Sequence, residues 1–387
     1  MAMRDETDVL ILGAGPFGLA LAAKLKLHGI DHVVAGQAMS FWRDHMPAGM
    51  LLRSGLDWHL DVGGEATLEA FAAETAPGEN VLPLSRDRYL DYVEWFSRRK
   101  QLAVDSYHVD SLDMLSDGRF VASGAEGSIT ARAVVIATGF RDFAHVPAEM
   151  TALLPPGVHG HTCEVVDFER FRRRRVLVVG GRQSDFESTA LIAEAGARSV
   201  DVVYRHPTPE FVASDWSWVQ PLMQRTQAEP GWYRALPDPE REALNARFWA
   251  EGRLKLEPWL APRIAGPNVH VWPGDEIVSA TGHGDAVVDV GLKSGATIGA
   301  DYVLFATGYK VDVLRLPFLA SSELSEHLEV VNGFPVLDTA LQSSVPGLYF
   351  TSIAATQDFG PFFAFTVSAR CSAELIGNAV SAGLRDT

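Results

Sequence analysis

The order of apolar and polar positions near the start of the chain predicts a strand, a tight turn, a helix and a second strand. Apolar residues at 9–12 lead directly into the pattern G-x-G-x-x-G at 13–18. A helical pattern follows at 19–28, and a short apolar run at 33–34 comes after Gly29. The chain is therefore expected to begin with a unit that places a glycine-rich turn at the end of a strand.

The glycines of this turn have separate chemical roles. Gly13 makes the turn, Gly15 lets the backbone approach a pyrophosphate, and Gly18 lets the helix pack closely on the strand. Pro16 and Phe17 lie within the same turn, before a helix whose N-terminal N–H groups favour a bound phosphate. These five residues are predicted to bind a dinucleotide. A glycine turn without a ligand is the alternative, and the flanking strand and helix disfavour it.

The same pattern returns near the middle of the chain. Apolar residues at 176–179 lead into Gly180, and a helix and a further strand are predicted after it. Arg182 stands where the second glycine belongs, which is tolerated if its φ stays negative. Asp185 replaces the third small residue and brings a negative charge to a position that should receive an anion. Cofactor binding and a structural relic both remain open for this second unit.

Two apolar strands end in the same tripeptide. The run at 133–136 ends in Ala-Thr-Gly with Thr138 and Gly139, and the run at 302–305 ends likewise with Thr307 and Gly308. Shorter apolar runs precede the first of these strands, at 104–109, 112–115 and 120–122. Gly360 and Pro361 are start signals for a last helix, predicted at 362–379.

An aromatic-rich segment follows the second unit. Its aromatic residues are Trp216, Trp218, Trp232, Tyr233, Phe248, Trp249 and Trp259. The residues at 239–252 read as a helix with a polar face, and we interpret the segment at about 207–265 as an insertion. It is predicted either to cap a substrate cleft or simply to pack as core.

Charge and cysteine content exclude several classes of function. The 49 acidic and 33 basic residues among 387 give a net charge of −16, which argues against nucleic-acid and anionic-membrane partners. No apolar run approaches the ~18 residues of a membrane span, and the first residues do not resemble a signal peptide, so a cytoplasmic location is expected. Cys163 and Cys371 form no C-x-x-C, so no disulfide framework, metal site or dithiol centre is indicated.

In combination, these features resemble the flavoproteins with two dinucleotide-binding domains. The two glycine turns, the two Ala-Thr-Gly strands and the Gly-Leu-Tyr-Phe strand at 347–350 carry the resemblance. Within that group the chain is most similar to class B flavin monooxygenases, which include flavin-containing monooxygenases, Baeyer-Villiger enzymes and N-hydroxylases. Phe41-Trp42 and the sequence Phe-Ala-Thr-Gly-Tyr at 305–309 support this match.

A linker motif points in the same direction. Gly157 and His161 are similar in spacing and type to the motif F-x-G-x-x-x-H-x-x-x-W/P of those enzymes. Pro155 stands in place of the phenylalanine and Val165 in place of the last residue, so the match is partial. The resemblance implies that His161 moves with the linker between hydride transfer and oxygenation, and we list it with Arg53 as a candidate catalytic residue.

The resemblance implies an α/β fold with two Rossmann-like domains. The first glycine turn would hold FAD and the second NADPH. The FAD domain would be discontinuous, at 1–150 and 306–387, and the NAD(P)H domain would occupy 151–305 and contain the insertion. Thr138, Gly139, Gly180, Thr307 and Gly308, at the ends of strands, are further predicted cofactor contacts. The family also allows a homodimer.

The FAD site is predicted to extend from the adenosine to the flavin. Gln37 stands where an acidic residue normally binds the ribose hydroxyls, and its amide can still bond them. Val109 resembles the residue whose backbone meets the adenine. The remaining residues of this site are expected beside the flavin ring, namely Trp42, Arg53, Ser54, Gly360 and Phe362.

Gln183, Ser184 and Arg205 are the predicted NADPH contacts. Arg205 ends the strand after the second helix and resembles the arginine that pairs with a 2′-phosphate, which favours NADPH over NADH. A plain surface arginine is the alternative for this position.

The resemblance implies a monooxygenase that consumes NADPH and O2. Hydride would reduce FAD, and one oxygen atom would reach a small molecule through a flavin C4a-(hydro)peroxide. One alternative is an NAD(P)H:acceptor oxidoreductase similar to thioredoxin reductase but without C-x-x-C. The other is a flavin-binding sensor without catalysis, suggested by Arg182 and Asp185. The substrate, and whether carbon, nitrogen or sulfur is oxygenated, stay open.

Overall fold

Two sheets rich in parallel pairing organise the chain. The computed structural model describes residues 5–283, 287–320 and 322–385. The strands are β1 (Glu6–Leu12), β2 (His32–Ala35), β3 (Ser111–Met114), β4 (Phe120–Gly124), β5 (Gly127–Ile136), β6 (His159–His161), β7 (Arg175–Val179), β8 (Ser199–Tyr204), β9 (Glu210–Phe211), β10 (Lys255–Leu256), β11 (Val269–Pro273), β12 (Ile277–Gly282), β13 (Val288–Leu292), β14 (Thr297–Ala300), β15 (Tyr302–Phe305), β16 (Val330–Val331), β17 (Phe334–Pro335) and β18 (Leu348–Phe350).

Helices cover the faces of both sheets. They are α1 (Pro16–Leu27), α2 (Ser40–Asp44), α3 (Leu68–Thr75), α4 (Arg86–Lys100), α5 (Ala148–Thr151), α6 (Gln183–Glu194), α7 (Val219–Ala228), α8 (Trp232–Ala235), α9 (Asp238–Arg253), α10 (Leu260–Arg263), α11 (Pro317–Ala320), α12 (Leu324–His327), α13 (Thr356–Phe359) and α14 (Ala369–Arg385). Within the described ranges, none of these helices combines the length and the apolar character needed to cross a lipid bilayer.

The first sheet contains strands from both ends of the chain. Its order is β2-β1-β5-β4-β3, and β18 also pairs with β5. The first half of β5 pairs antiparallel with β4, whereas Val134 and Ile136 near its end pair in parallel with Leu348 and Phe350. The first sheet is therefore completed by a strand that follows the strands of the second sheet in sequence.

The second sheet is parallel throughout, in the order β11-β8-β7-β15-β6. Strands β12 to β14 form a separate antiparallel sheet beside it. Because the carboxyl ends of β1 and β7 each carry a glycine turn and a following helix, the fold contains two Rossmann-like units, as predicted. The exact domain boundaries at 150 and 305 remain a prediction.

The insertion lies against both units. Val219 and Met223 of α7 belong to the same apolar core as the first sheet, whereas Leu256 and Leu260 belong to the core of the second. Helix α9 forms where a helix was predicted, and it has no buried side chain. The insertion thus follows β8 of the second unit in sequence but packs across to the first.

The predicted last helix at 362–379 is wrong at its start. Residues Pro361–Ala364 and Thr366–Ser368 form two 3-10 turns, and α14 begins at Ala369. Phe365 between them is extended, with φ −121° and ψ 156°, and this interrupts the helix. The apolar run is instead used to bury Phe362 and Phe363.

The predicted strand at 104–109 is also wrong. Only Asp105 pairs there, in an isolated parallel bridge with Ala35. Tyr107 turns into the core, where its hydroxyl donates to the carbonyls of Gly127 (2.7 Å) and Ala122 (3.2 Å). That side-chain anchor replaces a continuous ladder, because the segment leaves the edge of β2 after a single bridge.

Candidate functional site

In the first glycine turn, packing within the protein requires a glycine at two positions but not at a third. A Cβ on Gly13, where φ is +115°, would lie 2.4 Å from the carbonyl oxygen of Ala137. A Cβ on Gly18 would lie 1.9 Å from the carbonyl oxygen of Gly13. A Cβ on Gly15 would meet no described atom within 4 Å. Packing therefore explains Gly13 and Gly18, whereas the space at Gly15 suits a group from outside the chain, as a pyrophosphate would require.

A groove of about 410 Å³ lies beside the end of β2. Its lining residues are Gly36, Gln37, Ala38, Ser40, Arg43, Asp44, Val104 and Ser106. Gln37, the predicted ribose contact, thus lines an open groove, and the contact itself remains a prediction. The adenine contact assigned to Val109 also remains a prediction, but Val104 and Ser106 are among the lining residues and Val109 is not. The cause is the bridge at Asp105, which holds this part of the segment, and not Val109, beside β2.

A buried hydroxyl without a partner lies at the carboxyl end of β18. Thr351 is 4 % exposed, and its Oγ1 has no hydrogen-bond partner in the described part of the chain. The next residue, Ser352, has a φ of +62°, which is uncommon for a residue other than glycine. The neighbouring strand β5 leads into Thr138 and Gly139. Ligands of parallel sheets bind at such strand ends, so Thr351 is a candidate contact that the sequence pattern signalled but the predicted site omitted.

Arg53, in the loop after β2, is hydrogen-bonded to the insertion. Its guanidinium donates to the carboxylate of Glu257 (3.0 Å) and to the carbonyls of Gly252 (3.0 Å) and Glu251 (2.9 Å). The Arg53 side chain is 15 % exposed and that of Glu257 is 7 % exposed. Arg53 therefore joins the loop to the insertion. The buried Glu257 carboxylate engages the guanidinium on the insertion side, and the predicted contact of Arg53 with the flavin remains a prediction.

Four other residues were predicted beside the flavin, and two of them, Trp42 and Phe362, pack against aromatic rings. Trp42 stacks on Tyr89, with ring centroids 4.6 Å apart. Phe362 packs edge-on against Trp218 (5.3 Å) and Phe248 (5.2 Å) of the insertion. Ser54 is half-buried. Gly360 has a φ of +95°, and a Cβ there would lie 3.1 Å from the Tyr233 ring.

The second glycine turn encloses the carboxylate of Asp185. Asp185 is 2 % exposed, and it accepts hydrogen bonds from the N–H of Arg182 (2.6 Å) and the hydroxyl of Ser184 (3.0 Å). A Cβ on Gly180 would lie 2.6 Å from the same carboxylate. Burial raises the pKa of Asp185 to about 6, against the lowering effect of these hydrogen bonds. Arg182 has a φ of −112°, the negative value that a side chain at this position requires.

The two other predicted NADPH contacts have different surroundings. The amide oxygen of Gln183 accepts from the N–H of Glu257 (2.9 Å), and its amide nitrogen donates to Glu187 (3.3 Å). Arg205 is exposed directly after β8. Gln183 is therefore committed to the insertion, whereas Arg205 faces solvent at the strand end, as an external phosphate contact would require.

His161 ties together the linkers between the two units. It is 1 % exposed, its Nε2 lies 3.1 Å from the carbonyl oxygen of Gly308, and its Nδ1 accepts from the N–H of Cys163 at 3.2 Å. Burial lowers its pKa, so the ring is neutral and Nε2–H donates to Gly308. The N–H of His145 donates to the same carbonyl (3.0 Å), and the hydroxyl of Thr307 donates to the carbonyl of His145. The structure thus places His161 at the linker, with both ring nitrogens engaged within the protein.

A second buried histidine presents a donor without a partner. Arg370 lies 2.9 Å from Nε2 of His59, and because a guanidinium only donates, Nε2 must accept. Burial and then Arg370 lower the pKa of His59 to about 4, so the ring is neutral and carries its proton on Nδ1. That Nδ1 and Nε1 of Trp216 are buried without partners among the described residues. Both N–H groups can serve an acceptor on a bound molecule.

Comparisons with known proteins define the class. Residues 10–229, more than half of the chain, match the model of the pyridine nucleotide-disulphide oxidoreductase family. Together with the two glycine turns, this match makes the protein a flavin-dependent oxidoreductase, as predicted. The chain belongs to the pyridine nucleotide-disulphide oxidoreductase family.

Curated relatives include both oxygenases and reductases. The chain is 26 % identical over 340 residues to the FAD-dependent urate hydroxylase of Xanthomonas campestris, covering 81 % of this chain and 68 % of that protein. It is 28 % identical to the ferredoxin–NADP reductase of Paramagnetospirillum magneticum, over 53 % of this chain and 55 % of that protein. It is 30 % identical to indole-3-pyruvate monooxygenase YUCCA6 of Arabidopsis thaliana, over 51 % of this chain and 48 % of that protein. The match thus spans about half the length of the last two relatives.

Solved structures confirm the fold class. The ornithine N-hydroxylase of Kutzneria sp. 744, with reduced FAD, NADP+ and L-ornithine, superimposes with a TM-score of 0.79 at 18 % identity, covering 99 % of this chain and 100 % of that one. The ornithine hydroxylase of Pseudomonas aeruginosa gives 0.78 at 17 % identity, with coverages of 98 % and 99 %. The predicted class of two-domain flavoprotein is confirmed, and the predicted cofactors FAD and NADPH agree with these comparisons.

Proposed function

We propose that this protein is an FAD-dependent monooxygenase that consumes NADPH and transfers one oxygen atom from O2 to a small molecule. The observation that carries the proposal is the aromatic layer between the insertion and the first unit. Oxygen transfer from a flavin requires a site that excludes water, because water diverts reactive intermediates. A helical cover packed on the cofactor domain supplies that exclusion.

The aromatic layer is continuous across three segments. Trp58, in the loop after β2, contacts Trp216 of the insertion at 6.3 Å. Trp216 contacts Phe248 of α9 at 5.7 Å, and Phe248 contacts Phe362 of the C-terminal segment at 5.2 Å. The unpartnered N–H groups of His59 and Trp216 lie in or next to this layer. Aromatic walls with a few donors favour a planar substrate that carries acceptor atoms.

The chain's own residues have binding and positioning roles in this proposal. FAD, when bound, accepts hydride and activates O2. Gly15 admits its pyrophosphate, Gln37 meets the ribose in the groove, and Thr351 offers a hydroxyl at the strand end. His161, neutral and tied to Gly308, holds the linkers in register. None of these assignments requires a nucleophile or a metal on the protein.

Relatives and cysteine chemistry support oxygenation over disulfide reduction. The two cysteines of the chain, Cys163 and Cys371, are both buried and free. Burial raises the pKa of Cys163 to about 11 and that of Cys371 to about 12, so neither forms a thiolate at neutral pH. A dithiol relay is therefore unsuited to this chain. The urate hydroxylase and the indole-3-pyruvate monooxygenase among its relatives are named for the oxygenation of small molecules.

The test is anaerobic reduction of the purified flavoprotein by NADPH, followed by a pulse of oxygenated buffer while the flavin spectrum is recorded. Bleaching and then a lasting near-ultraviolet band distinct from oxidised flavin is the expected result. Bleaching with immediate return to the oxidised spectrum would favour an NADPH:acceptor reductase. No bleaching would favour the sensor and would overturn the proposed use of NADPH.

A further inference from the structure

We infer that α9 of the insertion completes the NADPH site, with Arg182, Arg205 and Arg253 as a three-arginine phosphate site and Trp249 as a platform for a ring of the nucleotide. The inference rests on the proposed function and adds to it a specificity-determining element. The sequence did not predict a role in nucleotide binding for any residue of α9. The sequence identified Arg182 as a departure from the glycine pattern, with a role in phosphate binding left open.

Arg182 connects the second glycine turn to α9. Its guanidinium lies over the Trp249 ring, 5.2 Å from the centroid, and donates to the carbonyl of Arg253. The guanidinium of Arg253 lies on the same ring at 5.8 Å. One exposed indole is therefore flanked by two cations at the start of α6. Trp249 is 50 % exposed, so much of its surface is available to a ligand.

The local charge is opposite to that of the whole molecule. The chain has a net charge of −16, yet Arg182 of the second glycine turn bonds the Arg253 carbonyl, and Arg205 directly follows Tyr204, whose ring lies 2.3 Å from a Cβ built on Gly181 of the same turn. Burial lowers the pKa of Arg182, and the charge of Arg253 lowers it further. Burial also lowers the pKa of His206, and the charges of Arg182 and Arg205 add to that effect. Neighbouring positive charges repel each other, so an anion bound between these guanidinium groups would stabilise the arrangement. Carboxylates that interact electrostatically with these arginines include Asp185, with Arg182 and Arg253, and Glu276, which interacts with Arg205 and is paired with Lys293.

The two departures from the glycine pattern compensate each other. Asp185 turns its carboxylate inward and occupies the N–H of Arg182, which removes a donor that a phosphate would otherwise use. The Arg182 side chain then restores positive charge on the outer side of the same turn. A phosphate would contact guanidinium groups, which bind it in bidentate geometry, in addition to the backbone donors that remain.

Helix α9 is positioned to respond to a nucleotide. It has no buried side chain, and it is held by half-buried Phe248, by a hydrogen bond from the hydroxyl of Tyr233 to Asn245 (2.9 Å) and, at its C-terminal end, by the bonds from Arg53 described above. The 2′-phosphate of NADPH adds roughly 1.5 to 2 negative charges relative to NADH. A site made of three arginines therefore distinguishes the two nucleotides by charge.

The experiment is calorimetric titration of the oxidised holoenzyme with NADP+ and with NAD+. Arg182→Ala and Arg253→Ala are each expected to weaken NADP+ binding by about tenfold or more and NAD+ binding less, because a charge-assisted contact is lost. Trp249→Ala is expected to weaken both nucleotides alike and to abolish any quenching of tryptophan fluorescence that Trp249 reports. Arg247→Ala is the matched control, since Arg247 lies on the same helix but stacks on Trp218 at 4.3 Å.

The outcomes separate this inference from the proposed function. If the unaltered protein binds NADP+ more tightly than NAD+, and Arg182→Ala and Arg253→Ala behave like Arg247→Ala, the inference is overturned and the function stands. If the unaltered protein binds neither nucleotide, the proposed use of NADPH fails first. Arg182→Lys keeps the charge and is expected to retain more NADP+ affinity than Arg182→Ala, which separates charge loss from misfolding. Equal loss in both would count against a phosphate contact.

Discussion

At the scale of single residues, the glycine turn shows why similar positions have different consequences. Gly13 and Gly18 are required by close backbone contacts, whereas Gly15 faces open space. A substitution at Gly18 therefore tests the fold, and a substitution at Gly15 tests ligand binding. The two positions form a matched pair within one turn.

Gly15→Ala is expected to fold with a normal thermal midpoint as apoprotein and to bind FAD at least about tenfold more weakly, since a methyl group enters the pyrophosphate space. Gly18→Ala is expected to lower the thermal midpoint of the apoprotein itself, because its Cβ would lie 1.9 Å from the carbonyl oxygen of Gly13. FAD content per chain and apoprotein melting curves measure both effects. Normal FAD binding by Gly15→Ala would contradict the placement of the pyrophosphate.

Asp185 gives a prediction on pH. Its pKa is raised to about 6 in the fold, above its ordinary value near 4 in an unfolded chain. Between these values the folded state binds more protons, so this group's contribution to stability falls as the pH rises from about 4 to about 6. Asp185→Asn removes that dependence. The thermal midpoint of Asp185→Asn relative to the unaltered protein is expected to rise between pH 5 and pH 8, by the equivalent of about 1 kcal/mol, because part of the contribution is already lost at pH 5.

A constant difference between the two proteins across that pH range would show that Asp185 does not titrate in the fold. Ser184→Ala serves as the control, because it removes one hydrogen bond to the carboxylate without removing the charge.

At the scale of elements, the insertion is fixed to the first unit by a buried ion pair. Arg53 Nε and Glu257 Oε1 are 3.0 Å apart, with both side chains largely buried. Breaking such a pair by removing one partner leaves an uncompensated charge, whereas replacing both can be nearly neutral. This makes the structural and catalytic interpretations of Arg53 separable.

Arg53→Ala is expected to cost about 3 kcal/mol of folding free energy, because the Glu257 carboxylate loses its partner. The double variant Arg53→Met with Glu257→Met is expected to recover at least half of that loss. Thermal melting of the holoenzyme measures both. If Arg53→Ala melted normally but reduced flavin slowly, the catalytic role first predicted for Arg53 would be supported instead.

The elements also show how far sequence reasoning reaches. Both glycine turns, the strands that feed them and the Ala-Thr-Gly endings are local patterns, and they were predicted correctly. The position of Val109, the direction of Arg53 and the start of the last helix depend on distant partners: the bridge at Asp105, the carboxylate of Glu257 and the burial of Phe362. The repeat of apolar positions along the local sequence carries no information about such distant partners. The phosphate role inferred for Arg253 and Trp249 was missed for the same reason, since α9 meets Arg182 only in the folded chain.

At the scale of the whole molecule, the first unit is closed by its two ends. Helices α1 and α14 pack together, and Lys24 of α1 donates to Glu374 of α14 at 2.6 Å. A Cβ on Gly377 would lie 2.6 Å from Cγ of Lys24, so the two helices approach closely there. The dinucleotide turn at the start of α1 therefore depends on the last helix for its support.

Gly377→Leu is expected to cost about 1–3 kcal/mol through overpacking and to lower FAD retention, because the displaced α14 no longer holds α1. Gly383→Leu is the control on the same helix, where a Cβ would meet no described atom within 4 Å. FAD release on dilution and the thermal midpoint are the measurements. Unchanged FAD retention in Gly377→Leu would show that α1 is supported by the sheet alone.

The pairing of β18 with β5 sets an order of events during synthesis. A ribosome completes β1, β2 and β5 early, but the edge formed by Val134 and Ile136 waits for Leu348 and Phe350. All strands of the second, parallel sheet lie between β5 and β18 in the sequence. The second sheet can therefore form while the first sheet still lacks β18. The nascent chain must therefore keep an unpaired strand edge from aggregating until Leu348 and Phe350 have emerged. The unit that is synthesised first finishes folding last.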